Sequence, residues 1–160
     1  IDATYFSCSG GATEDAVAVW GQDVPYLQSV QSPGEEDAPR FTDSVTFSAA
    51  EFAEKLGIPE GGSPADWFGN VTFTDGGGVD TMVIRGKEFT GPQLRSRLKL
   101  RSTAFEITVS ENTITVTTRG FGHRVGMSQY GAQAMAESGS TCAEILAHYY
   151  TGAELVCEEP

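Results

Sequence analysis

Residue types that build many catalytic and metal sites are scarce in this sequence. Its 160 residues contain two histidines and three cysteines, and no two of the cysteines form a CxxC pair. Such pairs are typical of a zinc ribbon, so the sequence does not support one. Basic residues are scarce as well, because 10 Lys and Arg stand against 22 Asp and Glu, giving a formal net charge of −12. A surface of this charge repels phosphate backbones, and we therefore expect no nucleic-acid partner.

Long apolar runs are also missing. No stretch approaches the roughly 20 consecutive apolar residues that a membrane-spanning helix needs, so we expect no span in this chain. The sequence opens with "IDATYF" and has neither an initiator methionine nor a signal sequence. From this start we expect a processed or excised piece of a longer protein.

What the sequence does contain predicts a folded α+β domain. Hydrophobic residues make up 39% of the chain, which is typical of a globular protein. The clearest hairpin has alternating apolar residues over 105–109 and 114–116, joined across Ser110-Glu111-Asn112. Strands and helices alternate irregularly, without a repeat. We therefore expect a single domain over residues 1–160, with a mixed, largely antiparallel sheet and several short helices.

Helix starts are marked by residues whose side chains cap free backbone N–H groups. Four such N-caps are expected, two of them in capping boxes with a glutamate three residues later: Ser48, Thr90, Ser128 and Thr141. The stretch 59–70, "PEGGSPADWFGN", predicts a flexible loop or an insertion.

The three cysteines allow more than one arrangement. Cys142 and Cys157 flank a short helix, and a disulfide between them would close a loop worth about 3 kcal/mol in the chain-entropy model. Cys8 would then remain unpaired. The alternatives are three reduced thiols, or a metal site such as zinc in which Cys8 and a histidine are brought together by the fold.

The most demanding stretch for the backbone is a glycine-rich bend, "TTRGFGHRVGMSQYGA", that contains one of the two histidines. Glycines allow positive φ and close approach of another segment, and Ser128 then begins a helix whose first turn offers free N–H groups. His123 lies just before that helix start. Histidine titrates near neutral pH, so His123 is a candidate general acid or base. The alternative is a structural histidine that bonds backbone carbonyls.

The residues of this bend resemble a known family. "GFGHRVGMSQYGAQAMAESGSTCAEILAHYYTGAEL" is similar to the C-terminal signature of the SpoIID/LytB family, which runs Gly-aromatic-Gly-His-Gly-Val-Gly-Met-Ser-Gln-aromatic-Gly-Ala and then Ile-Leu-x-His-Tyr-Tyr-x-Gly. Upstream, "TYFSCSGGATEDAVAVWGQDVPYLQSVQSP" and "FTGPQLRSRLKLRSTAFEI" resemble two further elements of that family, in the same order. Residues 34–83 are the least diagnostic part.

The resemblance implies a role in the bacterial cell wall. Family members resemble lytic transglycosylases that cut the glycan strands of peptidoglycan, in sporulation after the stem peptides have been removed, and related members are named amidase enhancers. The implied partners are glycan strands and a cell-wall amidase or other sporulation proteins. The implied location is extracytoplasmic, either secreted or anchored through a missing N-terminal segment, in the cell wall or between the forespore and mother-cell membranes.

The family's motif residues can be carried over position by position. Those expected to meet substrate are Ser9, Thr13, Arg95, Arg101, His123, Ser128, Gln129 and Tyr130. Arg95 or Arg101 would bind a muramyl carboxylate, with an ordinary structural ion pair as the alternative for either. The other motif residues are Gly10, Gly11, Glu14, Trp20, Ser102, Gly122 and Gly126.

This sequence departs from the family pattern at two places. Arg124 stands where the family usually has glycine, so its side chain either reshapes a pocket or points to solvent. The family's catalytic glutamate lies in an N-terminal segment that this chain is expected to lack. Glu14, crowded by Asp15, is the best motif-borne carboxylate and a candidate catalytic acid, and a solvated acidic pair is the alternative. Glu51 is expected to cap a helix.

Three functional hypotheses follow. The first is the larger part of a lytic transglycosylase that cleaves the bond between N-acetylmuramic acid and N-acetylglucosamine. The second is a non-catalytic wall-binding module that positions an amidase. The third is a metal-dependent hydrolase that uses Cys8 and His123.

Overall fold

The computed structural model describes residues 1–156 and confirms the α+β class, with largely antiparallel strand pairing. The elements, in chain order, are β1 (Tyr5–Phe6), α1 (Ala16–Trp20), β2 (Thr42–Ser48), α2 (Ala49–Leu56), a 3-10 turn (Pro64–Asp66), β3 (Phe68–Phe73), β4 (Val79–Ile84), β5 (Lys87–Thr90), α3 (Gly91–Leu98), β6 (Phe105–Ser110), β7 (Thr113–Arg119), β8 (Met127–Ser128), α4 (Gln129–Glu137) and α5 (Cys142–Tyr149).

The chain folds into two compact units. The first, called here the terminal unit, consists of residues 1–41 together with the described residues from 120 to 156. The second, called the central unit, is Thr42–Arg119. No helix within residues 1–156 is both long enough and apolar enough to cross a membrane.

The central unit contains two three-stranded antiparallel sheets. One has the strand order β2-β7-β6 and includes the predicted hairpin, in which Phe105 lies opposite Thr118 and Ser110 opposite Thr113. The other has the order β3-β4-β5. Because apolar residues recur on one face of α2 and of α3, both helices contribute to one core with the strands. The buried residues of this core include Phe52, Leu56, Ile84, Phe89, Leu94, Leu98, Ile114 and Val116.

The predicted N-caps are confirmed. Ser48 and Glu51 form a reciprocal capping box at the start of α2, in which the Ser48 Oγ accepts from the Glu51 N–H and the Glu51 carboxylate accepts from the Ser48 N–H. The same arrangement begins α5 at Thr141 and α3 at Thr90. Ser128 caps α4 by accepting from the Gly131 N–H at 3.2 Å.

The terminal unit is built around a short parallel pairing of β1 with β8, in which Tyr5 lies opposite Met127 and Phe6 opposite Ser128. Isolated bridges between Cys8 and Phe121 and between 14 and 125 extend this contact. The first strand of the chain is thus held against the glycine bend. Apolar residues of α1, α4 and α5 pack into a second core, which includes Ala16, Leu27, Val125, Ile145, Tyr149 and Tyr150.

The expectation of a loop over 59–70 is wrong in its second half. A 3-10 turn covers Pro64–Asp66, and β3 begins at Phe68. Trp67 is 2% exposed, and its indole N–H donates to the Gly61 carbonyl at 3.0 Å. Burial of this one aromatic ring orders a segment whose composition alone is typical of a turn.

Candidate functional site

The glycine bend holds its shape by close backbone contact with the N-terminal strand. Gly120 and Gly126 have φ values of +80° and +83°. A Cβ atom at Gly120 would lie 2.6 Å from the Ser9 carbonyl oxygen, and one at Gly126 would lie 2.3 Å from the Thr4 carbonyl oxygen. Real side chains do not approach backbone oxygens this closely, so both positions require glycine. The bend is therefore shaped for packing, as the sequence predicts.

A buried carboxylate that the sequence analysis did not identify lies at the centre of the terminal unit. Glu35 is 1% exposed. Its oxygens accept hydrogen bonds from the Ser9 N–H at 3.0 Å and the Ser9 hydroxyl at 2.6 Å, and from the Gly10 N–H at 3.2 Å. The Ser32 hydroxyl donates at 3.0 Å, and the Ser128 hydroxyl also donates to this carboxylate. Two motifs from opposite ends of the chain therefore meet on one glutamate.

Two residues of the C-terminal helices close around this carboxylate. The Tyr149 hydroxyl lies 2.6 Å from the Ser32 hydroxyl, which in turn donates to Glu35. Burial raises the pKa of Tyr149, the Ser32 hydrogen bond opposes this, and the nearby Glu35 charge raises it further. A Cβ at Gly131 would lie 2.1 Å from the Ser32 Oγ and 2.2 Å from the Tyr149 hydroxyl oxygen. We call the set of Ser9, Ser32, Glu35, Ser128 and Tyr149 the Glu35 network.

A buried ion pair adjoins this network. Arg124 and Glu14 are each 1% exposed, and the Arg124 Nη1 lies 2.8 Å from the Glu14 Oε1. The same guanidinium donates from Nε to the Ser9 carbonyl at 2.5 Å and from Nη2 to the Ala12 carbonyl at 2.9 Å. The alternative that Arg124 points to solvent is therefore wrong. Its φ of +67° explains why glycine suits this position in the family pattern.

Glu14 stays a prediction as a catalytic acid, but its surroundings differ from those expected. Its partner is the cation of Arg124, whereas the neighbouring Asp15 carboxylate turns away and accepts from the Ser29 N–H at 2.9 Å. The solvated acidic pair that was the alternative does not form, because Glu14 is buried. A carboxylate ion-paired in the interior is a typical structural group.

His123 is held by backbone groups on both sides of its ring. Its Nδ1 accepts from the Val125 N–H at 3.2 Å, and its Nε2 lies 3.1 Å from the Tyr5 carbonyl oxygen. We assign the proton to Nε2, since a carbonyl can only accept and Nδ1 already receives a proton donor. The ring also packs against Phe6 and Trp20, with centroid distances of 5.6 and 5.4 Å. This arrangement favours the structural alternative for His123.

The other predicted residues of the helix start divide between interior and surface. Ser128 is fully buried in the Glu35 network. Gln129 is exposed, and Tyr130 lines a pocket of about 320 Å³. The pocket is lined by Gly34, Glu35, Asp37, Ala38, Pro39, Tyr130, Gln133, Ala134 and Glu137. Tyr130 is thus a predicted site residue that lines the same pocket as Glu35 of the buried network.

The remaining predicted site residues are Thr13, Arg95 and Arg101. Thr13 is fully buried, and its hydroxyl oxygen accepts from the Val30 N–H at 2.8 Å. Arg95 and Arg101 belong to the central unit. Arg101 pairs with Asp43 at 3.1 Å, as its structural alternative required. Burial lowers the pKa of Arg95.

The described residues form no candidate metal site. Cys8 is fully buried, and its backbone bridges to Phe121. Residues 1–156 contain no cluster of three or more His, Cys, Asp or Glu side chains that could hold a metal ion. Cys142 is exposed at the start of α5, and its predicted disulfide partner Cys157 lies outside the described residues.

Sequence comparisons identify relatives for nearly the whole chain. It is 47% identical over 156 residues to stage II sporulation protein D of Bacillus amyloliquefaciens and 48% identical over 156 residues to that of Bacillus subtilis (strain 168). Each alignment covers 97% of this chain and 45% of the relative, so the chain spans somewhat less than half of their length.

A second type of relative covers less of the chain. The amidase enhancer of Bacillus subtilis (strain 168) is 41% identical over 69 residues, which are 40% of this chain and 10% of that protein. No family model matches the chain. Together with the motifs described above, the identity to stage II sporulation protein D shows that, over these aligned residues, the chain belongs to the SpoIID/LytB family.

Proposed function

We propose that this chain processes peptidoglycan as the glycan-binding part of a SpoIID-like lytic transglycosylase. The observation that carries this proposal is the convergence of two family motifs on Glu35. Ser9 and Gly10 come from the first motif and Ser128 from the last, and all three donate hydrogen bonds to one buried carboxylate. Burying a carboxylate is costly unless it is fully hydrogen-bonded. The hydrogen bonds to Glu35 therefore hold the residues of both motifs in fixed positions.

The network fixes groups that reach the surface. Ser128 caps α4. Of the next two residues, Gln129 is exposed and Tyr130 is half-buried. Tyr130 and Gln133 line the adjoining pocket of about 320 Å³. This volume lies at the lower end of the range for small-ligand sites, and its hydroxyl and amide groups suit the hydroxyl and acetamido groups of a sugar.

The proposed reaction needs one carboxylic acid that reaches the glycosidic bond. That acid would protonate the bridging oxygen between N-acetylmuramic acid and N-acetylglucosamine, and its carboxylate would then take the proton of the sugar's own C6 hydroxyl as it attacks the anomeric carbon. The product is a 1,6-anhydro end, and water does not enter. Glu14 is ion-paired and Glu35 accepts several hydrogen bonds, so neither is well placed to donate a proton to a substrate.

We therefore place the general acid outside these 160 residues, in the family's N-terminal segment. The proposal includes an extracytoplasmic location, where peptidoglycan is found. The position proposed for the general acid is supported by the relatives named stage II sporulation protein D, which are more than twice as long as the aligned part.

A second candidate function is a non-catalytic module that binds the wall and positions an amidase. The similarity to the protein named amidase enhancer favours it. The two functions differ in product, because only the transglycosylase leaves anhydro ends.

The test compares full-length protein with this chain on purified peptidoglycan, with and without stem peptides, and reads the products by mass spectrometry. We expect 1,6-anhydromuramic ends from the full-length protein and none from the chain. The full-length protein with Glu14→Gln should still form anhydro ends, provided that the variant is folded. Anhydro ends from the chain alone, abolished by Glu14→Gln, would contradict this assignment. Glycan binding without anhydro ends from either protein would favour the amidase module.

A further inference from the structure

The two tryptophans of this chain have opposite surroundings. Trp67 is 2% exposed, and its indole N–H donates to a backbone carbonyl. Trp20, at the last position of α1, is 42% exposed. Among residues 1–156 no hydrogen bond joins its indole N–H to another residue. An indole left in water forgoes the stabilisation that burial brings, so this exposure calls for an explanation.

The exposed indole packs against a neighbouring ring. The His123 ring packs against it with a centroid distance of 5.4 Å and an interplanar angle of 48°. His123 is itself fixed by the Val125 N–H and the Tyr5 carbonyl. The helix α1 ends at Gly21, whose N–H donates to the Val17 carbonyl at 3.0 Å. A side chain supported in this way loses little conformational entropy when a ligand binds.

An apolar neighbour extends the exposed surface along the helix. Val17 precedes Trp20 by one helical turn and is 55% exposed. Residues three apart on a helix are neighbours on its surface. Trp20 and Val17 therefore form a small apolar surface with an unused indole N–H at its edge. We call it the Trp20 surface.

We propose that the Trp20 surface is a stacking site for one N-acetylglucosamine ring of the glycan strand. This inference rests on the proposed function and assigns the position at which a sugar is held. One face of a β-linked pyranose ring carries C–H groups, which are attracted to the negative face of an indole. The rim of the ring carries hydroxyl and acetamido oxygens that can accept from the indole N–H.

The size and charge of the surface select this ligand. A stable protein interface buries about 800 Å² on each partner, whereas one partly exposed indole offers on the order of 100 Å². That is the area of a single sugar ring. Two carboxylates lie close in sequence to Trp20, Asp15 at the N-cap of α1 and Asp23 three residues after Trp20, and their charge disfavours the anionic lactyl group of N-acetylmuramic acid at this position. The neutral N-acetylglucosamine is therefore the ring assigned to Trp20.

The test uses the full 160-residue chain and purified glycan strands stripped of stem peptides. Acrylamide quenching of tryptophan fluorescence reports on Trp20, because Trp67 is buried. We expect bound glycan to protect Trp20 from quenching. Trp20→Ala should weaken binding at least tenfold, and Trp20→Phe should weaken it less. Phe73→Ala is the matched control, since Phe73 is an aromatic residue of the central unit with 60% exposure.

Each outcome separates this inference from the proposed function. Protection in the wild type, with loss confined to the Trp20 variants, supports the stacking site. Glycan binding with no protection, or binding by Trp20→Ala within twofold of wild type, would overturn the stacking site and leave the proposed function standing. No binding by the wild-type chain would overturn both. The quenching measurement needs no variant, so it remains decisive even if Trp20→Ala is unstable.

Discussion

Replacing Arg124 by alanine should destabilise the terminal unit strongly. The change removes the cation that lies 2.8 Å from the buried Glu14 carboxylate, together with donors to the Ser9 and Ala12 carbonyls. At an effective dielectric constant of about 20, the gross attraction of such a pair is about 6 kcal/mol, most of which offsets desolvation. Removing one partner costs more than the net value of the pair, and we expect a loss of about 3–5 kcal/mol.

Two further variants separate charge from backbone conformation. Arg124 has a φ of +67°, which costs a non-glycine residue about 1 kcal/mol. Arg124→Gly should therefore be less destabilising than Arg124→Ala by about that amount. Adding Glu14→Ala to Arg124→Ala removes the stranded charge. The double variant should be less destabilised than the sum of the two single variants by 0.5 kcal/mol or more.

The assay is urea denaturation at pH 7 followed by circular dichroism, with hydrogen exchange on peptides to locate the loss. Exchange should increase in peptides of the terminal unit before those of the central unit. A loss below about 1 kcal/mol for Arg124→Ala would refute the reasoning, because it would lie within the range of ordinary surface substitutions. Additive effects of Arg124→Ala and Glu14→Ala would also refute it.

Three further predictions concern the Glu35 network. Glu35→Gln should destabilise the chain by about 1–3 kcal/mol in urea denaturation, because an amide NH₂ would replace an acceptor that faces several donors. As a control, Glu36→Gln at the exposed neighbouring position should stay within about 0.5 kcal/mol of wild type. The pKa of Tyr149 is raised above its ordinary 10.0. The contribution of this group to the free energy of unfolding should therefore be fully present below pH 10 and be lost as the pH rises beyond it. Tyr149→Phe should reduce that alkaline loss measured by thermal unfolding, and an equal loss in the variant would contradict the assignment. Gly131→Ala should destabilise by about 1–3 kcal/mol, because its Cβ would overlap the Ser32 and Tyr149 hydroxyls, and an unchanged melting temperature would contradict this packing.

Local sequence signals predicted the parts of the fold that local interactions determine. The N-caps at Ser48, Thr90, Ser128 and Thr141 and the hairpin around 110–112 are confirmed, because capping and turn formation depend on residues within three or four positions. The short helix α1 was not predicted, since five residues are too few to show a helical period.

The sequence could not predict contacts made between distant parts of the chain. Glu35 lies in a segment that reads as an irregular surface loop, yet it is buried by Ser9 and Ser128 from both ends of the sequence. The sequence left Arg124 either reshaping a pocket or pointing to solvent for the same reason, because no residue near it in sequence indicates Glu14 as its partner.

The membership of the candidate site stays a prediction. Of the residues that the resemblance singled out, Ser9, Glu14, His123 and Ser128 lie in the terminal unit. Arg95 and Arg101 lie in the central unit. The side chains of the residues in the terminal unit make internal contacts: His123 bonds the Tyr5 backbone carbonyl, and the Ser9 and Ser128 hydroxyls bond the Glu35 carboxylate. We therefore expect these motif residues to fix the shape of the proposed glycan-binding surface, and Tyr130 and Trp20 to contact the glycan itself.

The central claim is our proposal that this chain binds glycan and that the general acid lies outside these 160 residues. The most direct test mixes the purified 160-residue chain with glycan strands stripped of stem peptides, and measures cosedimentation and newly formed 1,6-anhydro ends in the same sample. We predict that the chain sediments with the strands and that no anhydro ends form. A chain that stays in the supernatant, or one that generates anhydro ends by itself, would contradict the account.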